Sequence, residues 1–96
     1  MNTIIIIKDF GTIISDEELG SRIYKTISDC IEEEGSVTID MQDVKTMATF
    51  CAKQIFGQLC KKMGQASFFE KVVIVSATEQ IKTSIRVGIL SALKDN

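Results

Sequence analysis

Val37-Thr38-Ile39-Asp40-Met41, then Gln42-Asp43-Val44-Lys45-Thr46, then Met47-Ala48-Thr49-Phe50-Cys51-Ala52, is the stretch that decides the fold. Residues 37–41 read as a strand, and a short connection leads into a helix predicted over residues 49–63. At about 100° per residue, Met47, Ala48, Cys51, Ala52, Ile55, Phe56, Leu59 and Met63 fill one broad arc, as a helix lying on a sheet requires. Phe50 falls nearly opposite that arc, beside Gln54, Gly57 and Lys61. A phenyl ring on the polar side of the first turn is not explained by the packing of its own helix.

Outward from this unit the pattern repeats. Residues 3–8 are an unbroken, mostly β-branched run, which predicts a strand covered on both faces. Asp9-Phe10-Gly11 reads as a turn, and Thr12-Ile13-Ile14 as a short strand returning in a tight hairpin. Ser15 with Glu18 fits a capping box, so a helix is predicted from about Asp16, with an apolar stripe of Leu19, Ile23, Ile27 and Ile31 and Cys30 beside it. Asp29, Glu32, Glu33 and Glu34 crowd its far end and read as a solvated face, and Gly35 supplies the stop. After Gly64, residues 71–75 give a third long strand. Ser76 and Glu79 repeat the capping box, and the last helix carries Ile81, Ile85, Gly88, Ile89, Ala92 and Leu93 on one side, with Lys82, Arg86 and Lys94 outside. Strands alternating with helices predict an α/β fold: a central, mostly parallel sheet of about four strands with three helices, in one domain over residues 1–96.

Composition narrows the function. The chain is 45% hydrophobic and 25% charged with a net charge of −2, which suits one packed core. No window gathers Lys and Arg into a basic stripe, so nucleic acid is not an expected partner. The longest aliphatic run, Ile4-Ile5-Ile6-Ile7, is far short of the ~20 residues of a bilayer crossing, and no basic-then-apolar leader precedes it. A cytoplasmic protein without membrane partners is expected. Cys30, Cys51 and Cys60 are odd in number and lack C-x-x-C spacing, so they read as buried small hydrophobes rather than a disulfide framework or zinc site. With no His in the chain, Ser-His-Asp, Cys-His and imidazole-metal chemistry are excluded.

Asp9-Phe10-Gly11 spells the magnesium motif of protein kinases, but neither a Gly-rich loop nor an H-R-D loop accompanies it, and no phosphate-binding Gly motif occurs. Asp40 and Asp43 follow a strand at the sheet edge where open α/β folds place ligands. With Asp9 and Ser76 they outline an alternative reading, a small enzyme or magnesium-binding domain; the competing reading is that short Asp side chains bond nearby backbone in such turns. The leading reading needs no cofactor and no metal.

The segment from Val37 to Ala52 resembles a STAS domain, the fold of sulfate-transporter tails and anti-sigma factor antagonists. In that family a hydrophobic strand ends in Asp and is followed by a polar residue or two, Gly-Val, two residues, a hydrophobic and a Ser-rich helix start. The nearest pattern is that of small bacterial STAS-like domains with a Phe-Gly pair in the helix, here Phe56-Gly57. The resemblance implies a non-catalytic regulatory module that docks a protein partner, a histidine-kinase-type ATPase or anti-sigma factor, through the start of the second helix. It implies phosphorylation of a Ser at that start as the switch. Here Thr49 matches the first hydroxyl position, Phe50 occupies the usual phosphorylated Ser and Asp43 stands where Gly is usual. Thr49 is therefore the acceptor if the switch survives, or simply an N-cap. Phe50, Thr49, Lys53, Gln54 and Gly57 are the expected partner-binding residues, and homo-oligomerisation is left open.

Overall fold

The computed structural model describes residues 3–95. Among them, five strands and four helices follow one another: β1 (Thr3–Ile6), β2 (Ile13–Ile14), α1 (Glu17–Glu34), β3 (Val37–Asp40), β4 (Thr46–Met47), α2 over residues 49–63, α3 (Gln65–Lys71), β5 (Val72–Val75) and α4 (Glu79–Lys94). β3 is the middle strand, parallel to β1 on one side and β5 on the other, so that Ile5, Ile39 and Ile74 stand abreast. The α/β class and the parallel pairing of the three long strands follow the expectation from their apolar runs. No helix among the described residues is long and apolar enough to cross a membrane.

Only one face of this sheet is covered. Ile5, Val37, Ile39 and Val72 are buried, while the alternate residues Ile4 (60% exposed), Ile6, Val73 and Val75 face outward and open. The expectation of a first strand covered on both faces is corrected: its aliphatic run supplies two apolar faces, and the helices pack on one. β1 also ends earlier than expected, giving way to a single 3-10 turn at Ile7–Asp9. That turn carries the chain past the sheet instead of back along it. β2 therefore makes no hairpin; it pairs in parallel with β4, Ile13 opposite Thr46 and Ile14 opposite Met47, as a separate two-stranded sheet.

Helix boundaries follow local hydrogen bonds. The carboxylate of Asp16, not the Ser15 hydroxyl, caps α1 by accepting from the Leu19 N–H at 2.9 Å. Gly35 closes it at φ 83, a left-handed conformation that favours glycine, and its N–H donates to the Ile31 carbonyl. The acidic end of α1 is solvated: Asp29 pairs with Lys25 at 3.1 Å, and Glu32 lies 3.9 Å from Lys62. α4 is capped by Thr78, whose hydroxyl accepts from the Ile81 N–H, while Ser76 lies outside the helix at φ 61. The capping-box reading of Ser76 is thus corrected. α3 was not expected; it takes the residues before Val72 and buries Phe68 against the core.

α2 runs unbroken through residues 49–63, but its middle is wound differently: α-helical at Thr49–Ala52, π-helical at Lys53–Gly57, α-helical again at Gln58–Met63. A π turn holds one more residue than an α turn, so the buried face steps round by about one residue as it passes. Ile55, Phe56 and Leu59 are buried as the apolar arc requires, and Cys60 and Gly57, the latter put on the polar side by a uniform wheel, are buried with them. There α2 crosses α4 at backbone contact. A Cβ on Gly57 would lie 2.7 Å from the Ala92 Cβ and 2.8 Å from the Gly88 carbonyl oxygen; one on Gly88 would lie 2.5 Å from the Lys53 nitrogen.

Gly88→Ala is accordingly expected to destabilise the domain by about 1–3 kcal/mol in denaturant melts, because overpacking against backbone outweighs the gain of up to ~1 kcal/mol in helix propensity. Unchanged or raised stability would show that the two helices can separate without cost.

Candidate functional site

The candidate site is built on the first turn of α2, and the small sheet fixes where that turn begins. β2 and β4 are two residues each, yet the ladder is extended by the Lys45 N–H donating to the Thr12 carbonyl and the Ala48 N–H donating to that of Ile14, both at 2.8 Å. Ile14 and Met47 are buried beneath it. The chain leaves this anchor at Ala48, which is extended and caps α2 without a side-chain hydrogen bond; its carbonyl accepts from the N–H groups of Cys51 and Ala52. Thr49 is the first helical residue and exposed, so its hydroxyl is not the N-cap considered from the sequence. Phe50 beside it is 53% exposed, an aromatic ring in solvent next to a free-standing hydroxyl.

The three remaining expected residues point elsewhere. Lys53 is partly buried and binds the Asp95 carboxylate at 2.6 Å, and that hydrogen bond and charge hold the Asp95 carboxyl below its ordinary range. The Gln54 side chain turns under α1: its Nε2 donates to the Glu17 carbonyl at 2.9 Å, and its Oε1 sits buried and unpaired in the space that Gly20 leaves by having no Cβ. Gly57 lies in the helix crossing. The structure thus brings Thr49 and Phe50 together on the surface, with Lys53 one turn on, turns the partly buried Gln54 side chain toward α1 and buries Gly57. The signal that sequence reasoning missed is the π turn, which no residue type announces.

The acidic alternative is also resolved into contacts. The Asp40 carboxylate accepts from the Gln42 N–H at 2.9 Å, and Asp43 pairs with Lys8 at 3.3 Å across exposed surface. Asp9 ends the 3-10 turn and Ser76 follows β5. No group of three or more Asp, Glu, Cys or His able to hold a metal ion occurs among the described residues. Asp43 adopts φ 67, in the left-handed region where Gly carries no steric penalty and Asp carries a small one. The backbone at this position has the geometry that the Gly of the resembling pattern serves.

All three cysteines are free. Cys51 and Cys60 are fully buried, and burial pushes both thiols above their ordinary range; for Cys51 the nearby Asp16 charge adds to the rise, against a hydrogen bond from its Sγ to the Asp16 carbonyl. Cys30 is half-buried near Ser36. The raised pKa values of Cys51 and Cys60 are the opposite of what a reactive thiol needs.

A sequence model of a family described as a STAS-like domain of unknown function matches residues 20–82, a span that takes in nearly all of α1, the β3–α2 unit, β5 and the first turn of α4. No curated protein and no solved structure matches the chain.

Two outcomes follow from this geometry. Asp43→Gly is expected to change stability by less than about 1 kcal/mol, whereas Asp43→Val, a β-branched residue in the left-handed region, costs about 1–3 kcal/mol in the same melts. In native protein a thiol reagent labels Cys30 first, and Cys51 and Cys60 only as fast as the domain opens; immediate labelling of all three would contradict the burial described.

Proposed function

The chain belongs to the STAS-like domain family, and from that membership we propose that it is a non-catalytic regulatory module of the cytoplasm that docks a partner protein through the first turn of α2. The observation that carries the reading is Phe50: an aromatic side chain, 53% exposed, at the start of a helix whose own apolar arc is already buried. A ring so placed contributes little to the fold of the free domain and much to an interface that covers it, since aromatic anchors dominate binding energy. The partner is of the histidine-kinase-type ATPase or anti-sigma factor class, as the resemblance in the β3–α2 segment implies.

Thr49 supplies the switch in this reading. A phosphate there adds a charge of about −1.5 to −2 at the N-terminal end of α2, where the helix dipole favours it, and in the middle of the docking face, where an acidic partner does not. Lys53, one turn on, is the cation within reach, and its present bond to Asp95 gives the modified protein a contact to exchange.

The test begins with the protein that co-purifies with the tagged domain. Phe50→Ala is expected to weaken that complex by about 2 kcal/mol or more, while lowering the stability of the isolated domain by less than about 1 kcal/mol. A stability loss of about 3–5 kcal/mol with unchanged affinity per folded molecule would instead make Phe50 a core residue. With a cognate kinase and ATP, the expected acceptor is Thr49; phosphate found solely on Ser67 or Thr83 removes the switch from the reading.

A further inference from the structure

A second candidate site lies away from the first turn of α2. Between α3, α4 and the end of β5 the surface opens into a cavity of about 320 Å3. Its floor is Ile74 of β5 with Ile85, Ile89 and Leu93 of α4. Ile74 faces the helices like Ile5, Val37, Ile39 and Val72, yet it alone of these is left only partly buried, because the cavity reaches down to it. Phe69 (62% exposed) and Leu90 (53% exposed) stand on the rim, and the Phe69 ring is held edge-on against buried Phe68 at 5.2 Å.

The polar groups at this mouth are few and mostly cationic. Lys82 and Arg86 project from successive turns of α4, and Gln65 adds a carboxamide from α3. Lys82 is tied loosely to Glu79 at 3.4 Å in an exposed pair, and Arg86 makes no ion pair among the described residues. Apolar depth with two neighbouring cations is complementary to one kind of occupant: a small organic anion with an apolar body. A volume near the lower end of the ~300–1,000 Å3 of known ligand pockets suits a medium-chain or aryl anion rather than a dinucleotide. We propose that the α3–α4 cavity binds such a carboxylate or sulfonate amphiphile, with Arg86 and Lys82 holding the anionic head and Ile74, Ile85 and Leu90 taking the apolar body.

Anilinonaphthalene sulfonate is the probe, in a chain without tryptophan to interfere. The dye is expected to bind saturably, to be displaced by free decanoate and to be indifferent to decyltrimethylammonium. Arg86→Glu should weaken it about tenfold or more, the worth of one charge-assisted contact, and Leu90→Asp should abolish saturation. Both side chains are exposed, so neither variant threatens the fold, and a melt of each checks this. Ile4→Asp, on the bare sheet face, should leave binding intact. The proposal is overturned by equal displacement with the cationic amphiphile, by absence of saturable binding, or by loss in Ile4→Asp with retention in Leu90→Asp. It is likewise overturned if the dye is excluded in step with dimerisation in sedimentation, which gives the cavity to a second copy, or if phosphatidylglycerol vesicles bind while free decanoate does not compete, which gives it to a membrane surface.

Discussion

The crossing of α2 over α4 at Gly57 and Gly88 is the contact on which the arrangement depends. Two helix backbones meet there with no room for a methyl group on either side. Close approach fixes the rotation of α2 as well as its distance, because the residues that flank the crossing, Ala52, Ile55 and Phe56, must all turn inward. The π turn lies at this crossing, Lys53 to Gly57, and reconciles two demands on one helix: its first turn must start where β4 releases it, and its later turns must present Leu59 and Cys60 to the core. The start of the helix, Thr49 and Phe50, is left on the outside.

The elements legible in the sequence are those whose apolar pattern is long enough to be unambiguous. The runs around Ile5, Ile39 and Ile74 predict parallel strands, and the stripe at Ile23 and Ile27 predicts α1. The illegible elements are short or set by tertiary contact. β2 and β4 are two residues each and exist because Thr12, Ile14, Lys45 and Ala48 meet in space, which no local pattern encodes. α3 rests on a single buried ring, Phe68. Cap assignments slipped by a residue or two because Ser15, Asp16, Ser76 and Thr78 are all competent caps, and only the chain's path selects among them. At the candidate site, a uniform helical wheel puts Phe50 on the surface, as found, but it also puts Gly57 there, because it takes every turn to be an α turn.

Asp43 links the sheet edge to that site in a different way. A residue with φ 67 between β3 and β4 is a point where the chain bends by backbone conformation, and the bend lets Thr46 and Met47 reach Ile13 and Ile14. The small sheet, the start of α2 and the position of Phe50 therefore descend from one local geometry. A substitution at residue 43 acts on the candidate site through the backbone, with no contact to the exposed ring.

The placement of β3 between two parallel neighbours also bears on how the domain folds. No hairpin joins any pair in the three-stranded sheet: β1 reaches β3 only after α1 has formed between them, and β3 reaches β5 only across α2 and α3. Every ladder bond in it closes a loop of more than thirty residues, so the sheet cannot zip from a turn and its assembly waits on the helices. During that wait the apolar edges of β1 and β5 are the segments of the chain most open to pairing with another molecule.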